Sequence, residues 1–243
     1  MTIPNENERL DTVNDGIRIY QYKDGQLFGS DALLLAGYVR GRAKRAAELG
    51  SGSGILSLLL LQREKAARID CFELQGAYCE LTRRNAALNG FGDRLRVVEG
   101  DLRETACLPG RSGAYDLVVA NPPYMPRGGK ECETPSRQIA RHEVCGGVAD
   151  FTAAAGRLLQ TGGYYEVVCR PDRLTDLLCA MREAAVEPKK LTPVSARRGE
   201  APCLILVEGK KGGNPGLRWS AAFSMDGGEY DVLMRDGSFP AQG

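Results

Sequence analysis

Asn121-Pro122-Pro123-Tyr124 is the segment of this chain whose residue types best suit chemistry. Proline restricts the residue before it to extended conformations. Two prolines in succession fix the backbone and remove two donors. An acceptor-rich corner remains, made of the Asn121 side-chain oxygen, the Pro122 carbonyl and the ring face of Tyr124. Two acceptors suit a planar nitrogen with two N–H bonds, such as the exocyclic amine of a purine or a carboxamide. That nitrogen is a poor nucleophile, because its lone pair is delocalised. Holding both N–H bonds raises its electron density, and attack on a sulfonium methyl then needs no strong base. The Tyr124 ring offers a stacking surface, worth roughly 1–3 kcal/mol for a base.

A second constellation lies upstream. Gly50, Gly52 and Gly54 alternate in Glu48-Leu49-Gly50-Ser51-Gly52-Ser53-Gly54. Glycines between a strand and a helix permit a tight turn and close approach of backbone to a ligand. The spacing is neither the dinucleotide pattern nor a triphosphate loop. The Glu48 carboxylate repels phosphate and attracts an ammonium, such as that of a methionine moiety. Glu73 ends the next strand and suits ribose hydroxyls. Asp101 ends the one after and suits an adenine amine. Singly, each acid is what many solvated strand ends carry; three in register after successive strands make a stronger pattern.

These residues need a scaffold that brings strand ends together. A hairpin-like stretch over Ile17–Tyr22 ends at Lys23-Asp24-Gly25, and Ser30 or Asp31 is suited to cap a helix through Ala32–Ala36. From Arg45 strands and helices alternate. Strands are expected over 45–49, 67–74, 95–98, 115–120, 164–169, 190–194 and 203–207. Helices are expected over 55–65 (apolar on one face), 77–88, 151–159 and 174–185, with Asn89-Gly90 closing the second. Residues 125–147 form a long polar loop, and the tail after Gly212 reads as irregular. Alternation of this kind implies a parallel sheet with helices on both faces. Ligands then bind outside the carboxyl ends of the strands. Three segments are expected: 1–44 closing the cofactor pocket, the catalytic domain 45–210, and a tail, 211–243.

Lys and Arg number 32 against 31 Asp and Glu, so no global field attracts nucleic acid, and any such contact needs a local patch. Arg127, Lys130, Arg137, Arg141 and His142 in the long loop are candidates, as are Arg170, Arg173, Arg197 and Arg198 on loops expected at the same edge. The alternative is ordinary solvated charge. His142 is the only histidine, and the eight cysteines form no C-x-x-C pair. No metal site is therefore expected, and the cysteines read as buried reduced thiols of a cytoplasmic protein. The N-terminus is polar rather than signal-like, and the longest apolar run, 55–61, is too short to span a bilayer.

The chain resembles the tRNA1(Val) adenine-37 N6-methyltransferase family. The likeness rests on Phe28–Leu35, Glu48–Gly54, Asn121–Tyr124, Ile139–Glu143 and Cys203–Gly209, and covers roughly residues 8–235. The resemblance implies a Rossmann-like class I fold, with seven mostly parallel strands and an antiparallel last strand. It implies S-adenosylmethionine as methyl donor and RNA, above all tRNA, as partner. By position, Phe28 and Asp31 would close the cofactor pocket. Glu48, Gly50, Gly52, Glu73 and Asp101 would bind the cofactor, with Ser51, Gly54, Ile55, Leu74, Leu102 and Asn121 beside them. Asn121, Pro122 and Tyr124 would form the catalytic corner. Pro123, Tyr124, Arg127, Lys130, Arg141, His142, Arg197 and Arg198 would contact the substrate. Methylation of a protein glutamine amide is the nearer alternative. A module that binds cofactor and RNA without catalysis is the other, and the intact 121–124 corner speaks against it.

Overall fold

A computed structural model of the protein describes residues 4–13, 16–25, 27–104, 112–123 and 146–239. Two strands, β1 (Glu8–Thr12) and β2 (Arg18–Tyr22), pair antiparallel as a separate hairpin. Helix α1 (Ser30–Tyr38) follows. The alternating core runs β3 (Ala43–Leu49), α2 (Ile55–Gln62), β4 (Ala66–Glu73), α3 (Gly76–Leu88), β5 (Leu95–Glu99) and β6 (Tyr115–Ala120). It continues through α4 (Val148–Leu158), β7 (Leu159–Cys169), α5 (Leu174–Glu183), β8 (Val186–Ser195) and β9 (Leu204–Lys211). The seven longer strands stand in the order β5-β4-β3-β6-β7-β9-β8. All are parallel except β9, which runs antiparallel between β7 and β8. The sequence expectation of a mostly parallel sheet with an antiparallel last strand therefore holds.

The strand order reverses beside β3, which is paired to β4 on one side and β6 on the other. This is the switch point at which open α/β sheets bind ligands. The glycine loop leaves β3 there, and Asn121 leaves β6 there.

Apolar layers cover both faces of the sheet. One layer joins Leu34 and Leu35 of α1, the leucines of α2 and Leu233 of the C-terminal segment. The other joins Phe151 and Leu158 of α4 to Leu177 and Met181 of α5. Helix α2 departs from the one-sided pattern read from the sequence. Every residue from Ile55 to Leu61 is buried, because α1 packs across the side that would otherwise face water. The Lys65 ammonium, also buried, ties down the end of α1 by donating to the carbonyls of Ala36 (2.8 Å) and Gly37 (3.0 Å). A cation there complements the negative end of the helix dipole.

Two further sequence expectations are corrected. Neither Ser30 nor Asp31 caps α1; Gly29 occupies the N-cap position, and Asp31 sits in the first turn. The tail is not irregular either. Short strands β10 (Arg218–Trp219) and β11 (Phe223–Ser224) both pair with β8, and α6 (Gly228–Asp236) returns Leu233 onto Gly37. Apolar residues there are few and irregularly spaced, so only the core they meet reveals the helix. Of the described cysteines, Cys71, Cys79 and Cys169 are buried and free, whereas Cys179 and Cys203 are exposed and free.

Candidate active site

The carboxyl ends of β3, β4, β6 and β7 enclose a cavity of about 610 Å³. Its floor is the turn after β3. Gly50, Gly52 and Gly54 all adopt positive φ, at 68°, 52° and 83°. A side chain at Gly50 would meet the Phe151 ring at 2.9 Å, and one at Gly54 would meet Thr82 at 2.8 Å. At Gly52 a Cβ would meet nothing within 4 Å. Gly50 and Gly54 are therefore set by packing, whereas Gly52 leaves backbone open to the cavity. Gly54, expected beside the cofactor, does not line the cavity; Gly50, Ser51, Gly52 and Ile55 do.

Internal hydrogen bonds hold this floor. The Gly50 and Ser51 amides donate to the Phe72 carbonyl at 2.8 and 3.2 Å. Glu73, at the end of β4, accepts from the Gly52 amide through Oε2 and from the Gln75 amide through Oε1, each at 2.9 Å. Burial pushes its pKa up. Glu48 is buried as well: its Oε2 accepts from the Ser57 amide at 3.0 Å and from the Ser57 hydroxyl, while Oε1 accepts no hydrogen bond among the described residues. Burial pushes the Glu48 pKa up to about 8. An ammonium entering the cavity supplies the counter-charge that this carboxyl lacks.

Helix α3 locks the floor to the N-terminal wall. The Thr82 hydroxyl donates to the Gly52 carbonyl at 2.7 Å. One turn on, the Asn85 side chain donates to the carbonyls of Ser53 (2.9 Å) and Tyr20 (3.0 Å) and accepts from the Tyr20 amide (2.7 Å). Asn89 repeats the pattern on Arg18. Asn85 and Asn89 thus take the place of a neighbouring strand along the free edge of β2, while Thr82 and Asn85 hold the glycine loop. The hairpin in turn fixes Phe28, whose amide donates to Gln21 Oε1 at 3.0 Å. Leu27, Phe28, Gly29 and Asp31 then form one wall of the cavity, and burial raises the Asp31 pKa.

The remaining expected cofactor residues, Leu74, Asp101, Leu102 and Asn121, also line the cavity. Asp101 already holds a partner: the Arg103 guanidinium reaches both its oxygens, at 3.0 Å from Nε, and pulls its pKa down. Asn121, Pro122 and Pro123 line it from the end of β6, where Ala120 pairs with Leu49 immediately before the glycine loop. Tyr124, Arg127, Lys130, Arg137, Arg141, His142 and Ile139–Glu143 lie outside the described residues. Arg197 and Arg198 lie on the β8–β9 connection and do not line the cavity. Arg197 pairs with Glu200 at 3.7 Å, and the Arg198 amide donates to Asp226. Two strands, β7 and β9, separate their strand β8 from β6.

Sequence reasoning missed Tyr78, Phe151 and Ser53 as lining residues. Tyr78 and Phe151 belong to helix faces that look like ordinary core faces. Only the folding of α3 and α4 around the glycine loop turns those faces to the cavity.

The cavity suits S-adenosylmethionine by its donors and its shape. Glu48 and Glu73 put two buried carboxylates in its lining, a chemistry that suits an ammonium and hydroxyls. A glycine cradle open at Gly52 admits close approach, and Leu74 and Leu102 add apolar lining suited to a purine ring.

Residues 28–175, well over half of the chain, match the family model described as the methyltransferase small domain. The chain belongs to this family. Among curated relatives of this methyltransferase, the tRNA1(Val) (adenine(37)-N6)-methyltransferase of Aeromonas hydrophila subsp. hydrophila is 33% identical over 188 residues, covering 76% of this chain and 77% of the relative. The enzyme of the same name from Tolumonas auensis is 32% identical over 185 residues, covering 74% of each. The crystal structure of a predicted O-methyltransferase from Agrobacterium tumefaciens superposes with a TM-score of 0.71 at 24% identity. That match covers 87% of this chain and 99% of the other, and shows the shared fold.

Proposed function

We propose that this methyltransferase transfers a methyl group to the N6 amine of adenine in tRNA. The observation that carries this reading is the position of Asn121-Pro122-Pro123 in the cavity lining, at the end of the strand beside the buried acidic glycine loop. The names of the relatives support tRNA as the substrate. S-adenosylmethionine, when bound, supplies a sulfonium methyl, an electrophile that needs no metal. Glu48 holds the donor's ammonium, Glu73 accepts from its ribose, and Asp101 and Leu102 bound its purine. Phe28 and Asp31 close the pocket over it from segment 1–44. Asn121 and the Pro122 carbonyl accept the two N–H bonds of the target amine. This fixes the nitrogen's orientation and raises its electron density, so no residue need act as a strong base. The two prolines keep the corner extended while empty, so little ordering remains to be done when the base arrives. Tyr124 stacks on the base. Such an enzyme works in the cytoplasm; no helix among the described residues is long and apolar enough to cross a membrane.

The test is incubation with labelled S-adenosylmethionine and, separately, unfractionated tRNA, purified proteins and duplex DNA, followed by nucleoside and amino-acid analysis. N6-methyladenosine in tRNA is the expected product. Label in protein glutamine would transfer the same corner to the amide substrate, and label in none of the three would overturn the proposal.

A further inference from the structure

Five charged side chains line the described part of the cavity: Asp31, Glu48, Glu73, Asp101 and Arg170. Arg170 is thus the lone cation among them. The sheet topology separates it from Glu48, Glu73 and Asp101. Across the carboxyl edge the order is Glu73 on β4, Glu48 on β3, Asn121 after β6 and Arg170 after β7. Ala120 pairs with Val167, so Arg170 stands at the level of Pro123, three residues beyond each partner. Adjacent strands lie about 4.8 Å apart, which puts Arg170 one strand from the acceptor corner. From Glu48, which is level with Glu166, it is two strands across and four residues further along.

The other edge arginines are placed differently. Arg173 lines a separate groove with Val148, Asp176 and Cys179, and pairs with Asp176 at 3.1 Å. Arg197 and Arg198 lie beyond β9. Arg170 is bound only lightly: its side chain is 53% exposed and meets Asp172 at 3.3 Å. An exposed pair of this kind holds little energy and yields to a better anion. Its backbone is fixed, because the Arg173 amide donates to the Arg170 carbonyl at 3.0 Å in the turn before α5. The guanidinium is therefore carried on a hydrogen-bonded turn at the end of the strand beside β6.

We infer that Arg170 binds a backbone phosphate flanking the target nucleotide, and that it is the contact that registers the base against Asn121. This rests on the RNA reading above. Glu48, Glu73 and Asp101 stand on the β3–β5 side of the corner, whereas an anion on the β7 side meets Arg170. A planar guanidinium grips a phosphate with two parallel hydrogen bonds, which adds orientation to charge. A phosphate contact of this kind positions the strand without reading its sequence.

The test uses the full chain with two probes, unfractionated tRNA and S-adenosylmethionine, and the variants Arg170→Ala and Arg170→Lys. Arg170→Ala is expected to weaken tRNA binding about tenfold or more and to lower the salt slope by roughly 0.7–0.9. Cofactor affinity should stay at the wild-type value, which also reports an intact fold. Arg170→Lys should restore the salt slope but not the full turnover, since it keeps the charge and loses the fork. Weakened cofactor binding with unchanged tRNA binding would show that Arg170 pairs with the donor's carboxylate, and would overturn the inference. Unchanged values for both probes would overturn it too. Wild-type protein that neither binds nor methylates tRNA would overturn the RNA reading itself, a failure visible before any variant is made.

Discussion

On the β3–β4 side of the cavity, the chain's own hydrogen bonds hold the site together. Glu73 spans from Gly52 to Gln75, Glu48 is anchored on Ser57, and Thr82 and Asn85 clamp the loop backbone from α3. On the β6–β7 side, backbone restriction does the same work: two prolines follow a buried strand, and Arg170 leans on one exposed acid. The first side is a network, in which removing one member leaves buried groups unpaired. The second is set more by covalent geometry, since proline fixes the backbone whatever side chain precedes it. Changes on the two sides should accordingly fail in different ways.

The largest effect is expected at Asn121. Asn121→Ala keeps an extended residue before Pro122 and removes the acceptor, so turnover should fall on the order of 10²–10³-fold. Calorimetric affinity for S-adenosylmethionine should fall far less than turnover, since Asn121 is one of many residues lining the cavity; an equal loss of affinity and turnover would erase the distinction between the two sides. Next is Glu73→Ala, which removes the carboxylate from both the donor's ribose and the Gly52 amide. Cofactor binding should weaken by about 1.5–3 kcal/mol, measured by the same calorimetry, and unaltered affinity would take Glu73 out of the site.

Asn85→Ala probes the network alone, since Asn85 does not line the cavity. It leaves the Tyr20 amide and the Tyr20 and Ser53 carbonyls without this partner, and should destabilise the fold by about 1–3 kcal/mol. Denaturant unfolding checks this, and wild-type stability would show that the α3 stripe is not what joins the hairpin to the glycine loop.

The smallest effect is a matter of protons. The folded pKa of Glu48, about 8, lies above the ordinary value of 4.5 because the group is buried. Between those two values the unfolded chain binds fewer protons than the folded one. The Glu48 contribution to stability is thus complete below pH 4.5 and is lost as pH rises through about 8. Glu166, buried on β7 with a pKa also about 8, acts in the same direction. Melting temperature without ligand should fall between pH 5 and 8, and Glu48→Gln should flatten part of that fall. An arriving ammonium ionises Glu48, so cofactor binding at pH 7 should release about one proton. Calorimetry in buffers of different ionisation enthalpy measures the release, and its persistence in Glu48→Gln would assign the proton elsewhere.

Local patterns were enough to read the alternating core. Apolar runs such as 115–120 and the turn glycines are short-range signals, and the strand-end acids follow directly from them. The Asn121-Pro122-Pro123 corner was legible for the same reason, since proline acts on its immediate neighbours. Boundaries shifted where pairing extends a strand beyond its apolar stretch: β7 begins at Leu159 and β8 at Val186, because each has a neighbour to bond. The α6 helix escaped notice because its short apolar pattern acquires meaning only against Gly37.

By itself, then, the sequence determined the kinds of element, their order and the residues at the strand ends, all properties of contiguous segments. Tertiary structure alone decided which strand ends meet at the switch point, and that Gly52 opens to the cavity while Gly54 is filled by Thr82. It decided that Asp101 is already held by Arg103, and that Arg170 rather than Arg197 or Arg198 lines the cavity. The physical reason is that these outcomes depend on distances between segments far apart in the chain. Those distances are set by strand order and helix packing, which no local spacing encodes.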